Sequence, residues 1–296
     1  MSTDQDPALQ PLVDALLVRA LGDGGFASHA GGAYAPEATA WAVLALVAAG
    51  AGPEQVPAAR ARLAAGQAAD GRVSLDAEHP EAFWVTPLAA LAWHGAPRQA
   101  AAASRAVGFL LATTGRHWPK APGAATGHDP ALRGWPWIED THSFVEPTAL
   151  ALLALRRAGQ GAHERAREAA RMLLDRQLPR GGWNYGNTTV YGQELRPAAV
   201  ETGVALAALA GLTTQAEVLR SLAFARAEAA RLRTPLSLAW ALLGLGAWGE
   251  RPAAARSWVL ESAAAQPRRG AYPTTLLALL LLAAVGDAAV ARVLPR

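Results

Sequence analysis

Gln177-Leu-Pro-Arg-Gly181-Gly182-Trp183 is echoed by Gln266-Pro-Arg-Arg-Gly270-Ala-Tyr272 and, more faintly, by Gln67-Ala-Ala-Asp-Gly71 and Gly24-Gly25-Phe26. Just beyond these fragments stands an apolar segment that also recurs. Thr39–Leu46, Thr86–Trp93, Thr148–Leu155 and Thr202–Leu209 each open on Thr and continue mainly in Ala and Leu, and weaker copies run over Leu236–Leu243 and Thr275–Leu282. Six copies spread from end to end describe one supersecondary unit used repeatedly.

Working outward, second helical stretches lie between the apolar ones: 8–21, 53–66, 98–113, 163–177, 215–230 and 252–266. These are amphipathic. Glu164, Arg167, Glu168 and Arg171 form a charged stripe on one of them, so that helix faces solvent, whereas a segment apolar on nearly every face must be surrounded. Six inner helices ringed by six outer ones follow, an all-α (α/α)6 toroid in which the inner amino termini share one mouth. The Gly-rich fragments fall in the outer-to-inner connections, where Gly permits positive φ at a helix end. In them Gln is expected to bond backbone at an adjacent helix end. The connection 115–142 is longer than its counterparts and carries Trp118, Trp135 and Trp137 among four prolines; a long loop of that kind is usually functional.

Composition agrees with this organisation. Of the 296 residues 52% are hydrophobic but only 6% aromatic, so Ala and Leu carry the apolar content and favour helix. No composition break divides the chain, which reads as one domain over 1–296. The formal net charge is only +3 and basic residues are not clustered, which gives no support to nucleic-acid binding. The absence of Cys excludes disulfides, thiolate metal sites and a cysteine nucleophile. The amino-terminal stretch 1–10 is polar and acidic, unlike a secretory leader, so a cytoplasmic location is expected. The longest apolar run, Leu276–Val285, is too short to cross a hydrocarbon core of about 30 Å and reads as a buried helix.

The Gln-x3-Gly-x-Trp fragment with its following Thr-x2-Ala-x2-Ala-Leu helix resembles the repeat of the superfamily that holds squalene-hopene cyclases, oxidosqualene cyclases and protein prenyltransferase β-subunits. The resemblance spans most of the chain and implies an isoprenoid-processing toroid, a terpene cyclase or isomerase acting on an apolar polyprenyl substrate by acid-initiated carbocation chemistry. In the cyclases an Asp-x-Asp-Asp-Thr-Ala motif opens an inner helix and its middle Asp is the acid. The matching stretch is Phe144-Val145-Glu146-Pro147-Thr148-Ala149, so the acid's place falls to Glu146 while Phe144 and Pro147 replace its partner carboxylates. The prenyltransferase zinc set needs a Cys and finds none. An Asp-Asp-x2-Asp cluster for magnesium and diphosphate is also missing.

Around Glu146 the sequence concentrates candidates for chemistry. Glu146 or Asp140 could be a general acid with His142 as its orienting partner, and Trp135, Trp137 and Phe144 could stabilise a cation through their ring faces. The bland alternative is that Thr141 or Ser143 caps the helix and Glu146 favours its positive end. Glu37 occupies the same repeat position as Glu146, and Glu201 stands one residue before Thr202. Carboxylates at matching registers point toward one cavity, which suits acid and base roles. Trp84, Asn184 and Tyr185 are candidates to line the pocket, although a Trp on an inner helix is more often core. His79 with Glu78 and Glu81 matches no metal-ligand spacing, and no metal or cofactor is expected. A partner subunit over one face and a peripheral membrane contact are compatible with the pattern. Two other functions stay open: a non-catalytic toroid that binds a lipid or a protein, and a carbohydrate-active (α/α)6 enzyme with paired acids.

Overall fold

A computed structural model describes residues 6–295; residues 1–5, and with them half of the acidic amino-terminal stretch, lie outside it, as does residue 296. The chain is almost wholly helical. Six apolar helices alternate with amphipathic ones: α1 (Gln10–Leu17), α2 (Pro36–Ala49), α3 (Gln55–Ala65), α4 (Val85–Trp93), α5 (Ala100–Ala112), α6 (Val145–Arg157) and α7 (Glu164–Asp175) lead to a two-residue-per-strand hairpin, β1 (Thr189–Val190) and β2 (Gln193–Glu194). Then come α8 (Ala199–Leu209), α9 (Gln215–Arg231), α10 (Pro235–Ala247), α11 (Ala255–Ala264), the short α12 (Gln266–Arg269), α13 (Thr274–Ala284) and α14 (Asp287–Val290). The expected helices are present to within a few residues at each end.

Their contacts close into a cycle. Helix α2 packs on α4, α4 on α6, α6 on α8, α8 on α10, α10 on α13 and α13 back on α2. The amphipathic helices sit outside this cycle, each against the apolar helices it connects: α3 on α2 and α4, α7 on α6 and α8, α9 on α8 and α10, α11 on α10 and α13. Burial follows the same division. Leu277 through Leu282 and Leu150 through Leu155 have essentially no exposed surface, whereas α9 alternates buried Val218, Ser221, Leu222 and Ala225 with exposed Glu217, Arg220 and Arg226. The closest approach is between α8 and α10, where Gly203 lies against the Trp240 carbonyl and a Cβ on Gly244 would fall 2.6 Å from the Gly203 oxygen. Trp240 then meets Trp41 edge-on at 5.8 Å, joining two helices that are not neighbours in the cycle.

The recurring fragment is the joint between units. The Thr that opens each strong apolar copy accepts a hydrogen bond at 2.9 Å from a backbone amide in the preceding connection: Phe26 to Thr39, Val73 to Thr86, Trp135 to Thr148 and Trp183 to Thr202. Trp183 and Trp135 also donate their indole N–H groups to the carbonyls of Leu173 and Leu110 on the preceding outer helix, and the Tyr272 hydroxyl donates to Ser262 in the same way. Gly181, at φ 95°, has its Cα pressed against the Arg220 backbone of α9, and Gly71, at φ 97°, against Arg105 of α5. Both the backbone conformation and the missing Cβ are therefore required there. The glutamines work differently from one another. Gln67 bonds the Ala102 carbonyl of the neighbouring helix, Gln177 the Ser221 hydroxyl, and Gln266 accepts the Tyr272 amide.

Candidate functional site

Three glutamates stand in the first turns of three helices of the cycle: Glu37 in α2, Glu146 in α6 and Glu201 in α8. Helix amino termini favour negative side chains, so residue type alone would hold these groups ionised. Burial works the other way and wins. Glu201 is buried, with 4% of its surface exposed, and Glu37 and Glu146 are mostly covered. No arginine, lysine or histidine forms an ion pair with any of the three among the described residues.

The consequence is a set of carboxyls that resist ionisation. Glu146 is pushed up to about 8, first by burial and then by the charges of Glu201 and Glu37. Glu37 rises to about 7 through burial, partly offset by a hydrogen bond with the Thr275 side chain at the start of α13. Glu201 is raised as well, by burial, against a pull from its own backbone amide. Like charges that share a poorly solvated space oppose one another's ionisation, and Glu201 and Glu37 act on Glu146 in this way. The starts of α2 and α8 thus place Glu37 and Glu201 within electrostatic reach of Glu146 in α6, with Thr275 of α13 beside Glu37. The chemistry of the set is that of a neutral carboxylic acid beside potential carboxylate bases near neutral pH.

The other residues singled out from the sequence are placed as follows. Asp140 is exposed, at φ 61°, and lines a separate surface cavity of about 390 Å³ with Thr114 through Trp118. His142 does not bond Asp140; its ring tilts against Phe144 at 4.2 Å, and desolvation followed by the Arg176 charge holds it below its usual range. Trp84 and Trp137 form their own edge-to-face pair at 5.3 Å, half-buried. Tyr185 is 66% exposed, and its carbonyl accepts the Val145 amide where α6 begins.

Two candidates are taken up by the framework. Trp135 is 1% exposed, bonded at both nitrogens and covered by the Arg165 guanidinium at 4.4 Å, which leaves no face for a ligand. It is the counterpart of Trp183, and Gly134-Trp135 is a copy of the repeated fragment that the long connection hides. Asn184 is spent locking its own loop: its oxygen accepts the amides of Gly186 and Asn187, and its nitrogen donates to the carbonyls of Asn187 and Arg196. The signal for Trp135 lay in the spacing, since Thr148 follows it by 13 residues, as Thr39 follows Phe26 and Thr86 follows Val73.

Sequence reasoning also passed over a buried basic group beside this end. Arg176 is 5% exposed, donates to the Gly186 carbonyl at 2.9 Å and is lowered to about 10, mainly by burial. His128, 7% exposed, is held down to about 4 by burial and then by Arg176. His128 belongs to the long connection, which is tied to α7 next to Arg176 where the Asp129 amide donates to Asp175 at 2.8 Å.

No family model matches the chain, and no curated protein matches it in sequence. Solved structures do match in fold. A protein from Actinoplanes superposes with a TM-score of 0.57 at 18% identity, covering 92% of this chain and 82% of its own. The ent-copalyl diphosphate synthase from Streptomyces platensis superposes with a TM-score of 0.54 at 19% identity, covering 86% of this chain. The alignment takes in 50% of the synthase, so this chain spans about half of that protein's length. The fold is therefore terpenoid cyclase-like.

Proposed function

We propose that the closed cycle and its outer helices form a single (α/α)6 toroid of the terpenoid cyclase class, and that the toroid processes an isoprenoid by acid-initiated chemistry with Glu146 as proton donor. What carries this reading is the setting of Glu146: burial and then the charges of Glu201 and Glu37 push its carboxyl up to about 8, so it has a proton to give at neutral pH. The name of the Streptomyces platensis neighbour, a copalyl diphosphate synthase, supports an isoprenoid as the substrate class.

The chemistry of the set favours the isomerase arm of this reading. A carboxyl with a raised pKa is a weaker acid than an ordinary one and is poorly matched to creating a free cation from an isolated alkene. A second carboxylate eases that demand. In a double-bond shift the Glu146 proton forms a new C–H bond at one alkene carbon while Glu37 or Glu201 removes a proton from the allylic carbon, whose C–H electrons become the new double bond. Charge does not build up, and a proton passed between the glutamates resets the set.

A second reading, a toroid that binds an apolar ligand without turnover, draws on the filled interior. The Trp41–Trp240 contact brings together helices that are not neighbours in the cycle, and the Gly203–Gly244 approach draws two neighbouring ones close. One experiment separates the two. Purified protein incubated with linear polyprenyl hydrocarbons and diphosphates, with products followed by gas chromatography and mass spectrometry, should yield an isomer or cyclic product that Glu146→Gln abolishes while ligand retention persists. Retention with no product from the wild type would favour the binding reading. Unchanged product from Glu146→Gln would reject the acid.

A further inference from the structure

Beside the acid end, the long connection and the β1–β2 hairpin are stitched into one ledge. The Gly127 amide donates to the Thr189 carbonyl at 3.0 Å, and the Tyr191 amide to Ala125 at 2.8 Å. The ledge adjoins the start of α6 through the bond from Val145 to Tyr185. Among the described residues the strongly exposed aromatics are all here: Trp118 at 52%, Tyr185 at 66% and Tyr191 at 84%.

Tyr191 is also where it is least expected. It forms the two-residue hairpin turn with Gly192, at φ 49° and 75° respectively, a turn that asks for positive φ at both positions. Asn, Asp or Gly would adopt it at less cost; a side chain such as Tyr gives up roughly 1–2 kcal/mol in the left-handed region. The side chain makes no return within the chain, because the ring stands in solvent. The charges nearby are lopsided too. Glu194 is paired with Arg180 at 3.3 Å and Glu139 with Arg72 at 3.3 Å. That leaves Arg116, Lys120 and Arg196 exposed and without an acidic partner, against exposed Asp140 and half-buried Asp129.

We propose that this ledge docks on an anionic phospholipid bilayer, with Trp118, Tyr185 and Tyr191 at the headgroup level and Arg116, Lys120 and Arg196 on lipid phosphates. Aromatic rings with a polar tip belong at the membrane–water boundary, and unpaired basic residues add about 1 kcal/mol each near an anionic surface. The contact is superficial, since no described helix is long and apolar enough to cross a membrane. Docked this way, the end of the ring that carries Glu146 faces the phase in which apolar molecules are stored. The proposal does not depend on whether Glu146 performs catalysis.

Vesicle co-sedimentation tests it. The protein should pellet with phosphatidylserine–phosphatidylcholine vesicles, pellet much less with phosphatidylcholine alone, and be released as salt is raised. Trp118→Ser with Tyr191→Asn should lower partitioning by about tenfold while circular dichroism stays native and the melting temperature does not fall. Arg116→Glu, Lys120→Glu and Arg196→Glu together should remove the preference for anionic vesicles. The proposal is overturned if the wild type stays in the supernatant with both compositions or if the variants bind as the wild type does. Self-association through the ledge without vesicle binding would also overturn it, pointing to a protein partner instead.

Discussion

The two ends of the apolar helices carry opposite charges and treat them in opposite ways. At the carboxyl-terminal end arginines close the helices: Arg60 donates to the Ala92 carbonyl of α4 at 2.6 Å, Arg156 to Ala208 of α8 at 2.9 Å, and Arg251 to Ala283 of α13. These cations meet both the negative helix end and carbonyls that would otherwise lack partners. At the amino-terminal end Glu37, Glu146 and Glu201 also match the helix polarity in sign, yet they are buried together without a cation. The first end is charge spent on structure. The second is charge kept out of balance, and its result is a proton held at neutral pH.

The comparison breaks most visibly in how stability depends on pH. An ordinary glutamate ionises near 4.5 in the unfolded chain, while Glu146 and Glu37 stay protonated in the folded chain up to about 8 and about 7. Their contribution is therefore full below 4.5 and is lost progressively between 4.5 and about 7 for Glu37 and about 8 for Glu146, the reverse of a salt-bridged acid. Wild-type melting temperature should fall over that interval. Glu37→Gln, Glu146→Gln and Glu201→Gln combined should flatten the slope and stabilise the protein by about 2 kcal/mol or more near pH 9. A melting temperature independent of pH in the wild type would contradict the assignment.

At the other end the expected effect is smaller and has no pH dependence. Arg156→Ala removes a charged donor from the Ala208 carbonyl and should cost about 1–2 kcal/mol in denaturant unfolding, equally at acid and alkaline pH. Thr202→Val tests the joint that sets where the helices begin: it leaves the buried Trp183 amide without an acceptor and should cost about 1–2 kcal/mol. Smallest of all, Tyr191→Asn should raise stability by a few tenths of a kcal/mol to about 1 kcal/mol, since Asn tolerates the backbone that Tyr191 holds under strain.

Much of the frame was legible because the inner helices are apolar all round, which no solvent-facing helix can be, and because their leading Thr recurs in register. What stayed hidden had a physical reason in each case. The long connection separates Gly134-Trp135 from the end of α5, so a search for the contiguous fragment overlooks it even though the Thr148 hydrogen bond is intact. Asp140 and His142 are close to Glu146 in sequence but not in chemistry, because the chain turns at Asp140 and His142 stacks on Phe144. The register of Glu37, Glu146 and Glu201 was readable. Their mutual effect was not, since it depends on how closely three separate helices bring them together.

The central claim is that Glu146 is neutral at physiological pH because it is buried with two other acids. A ¹³C NMR titration of the Glu146 side-chain carboxyl tests it most directly. The midpoint should lie near 8 and should move down, while staying above 4.5, when Glu201→Gln removes the neighbouring charge with the larger effect. A midpoint near 4.5 in the wild type, or one that Glu201→Gln and Glu37→Gln leave unmoved, would contradict it.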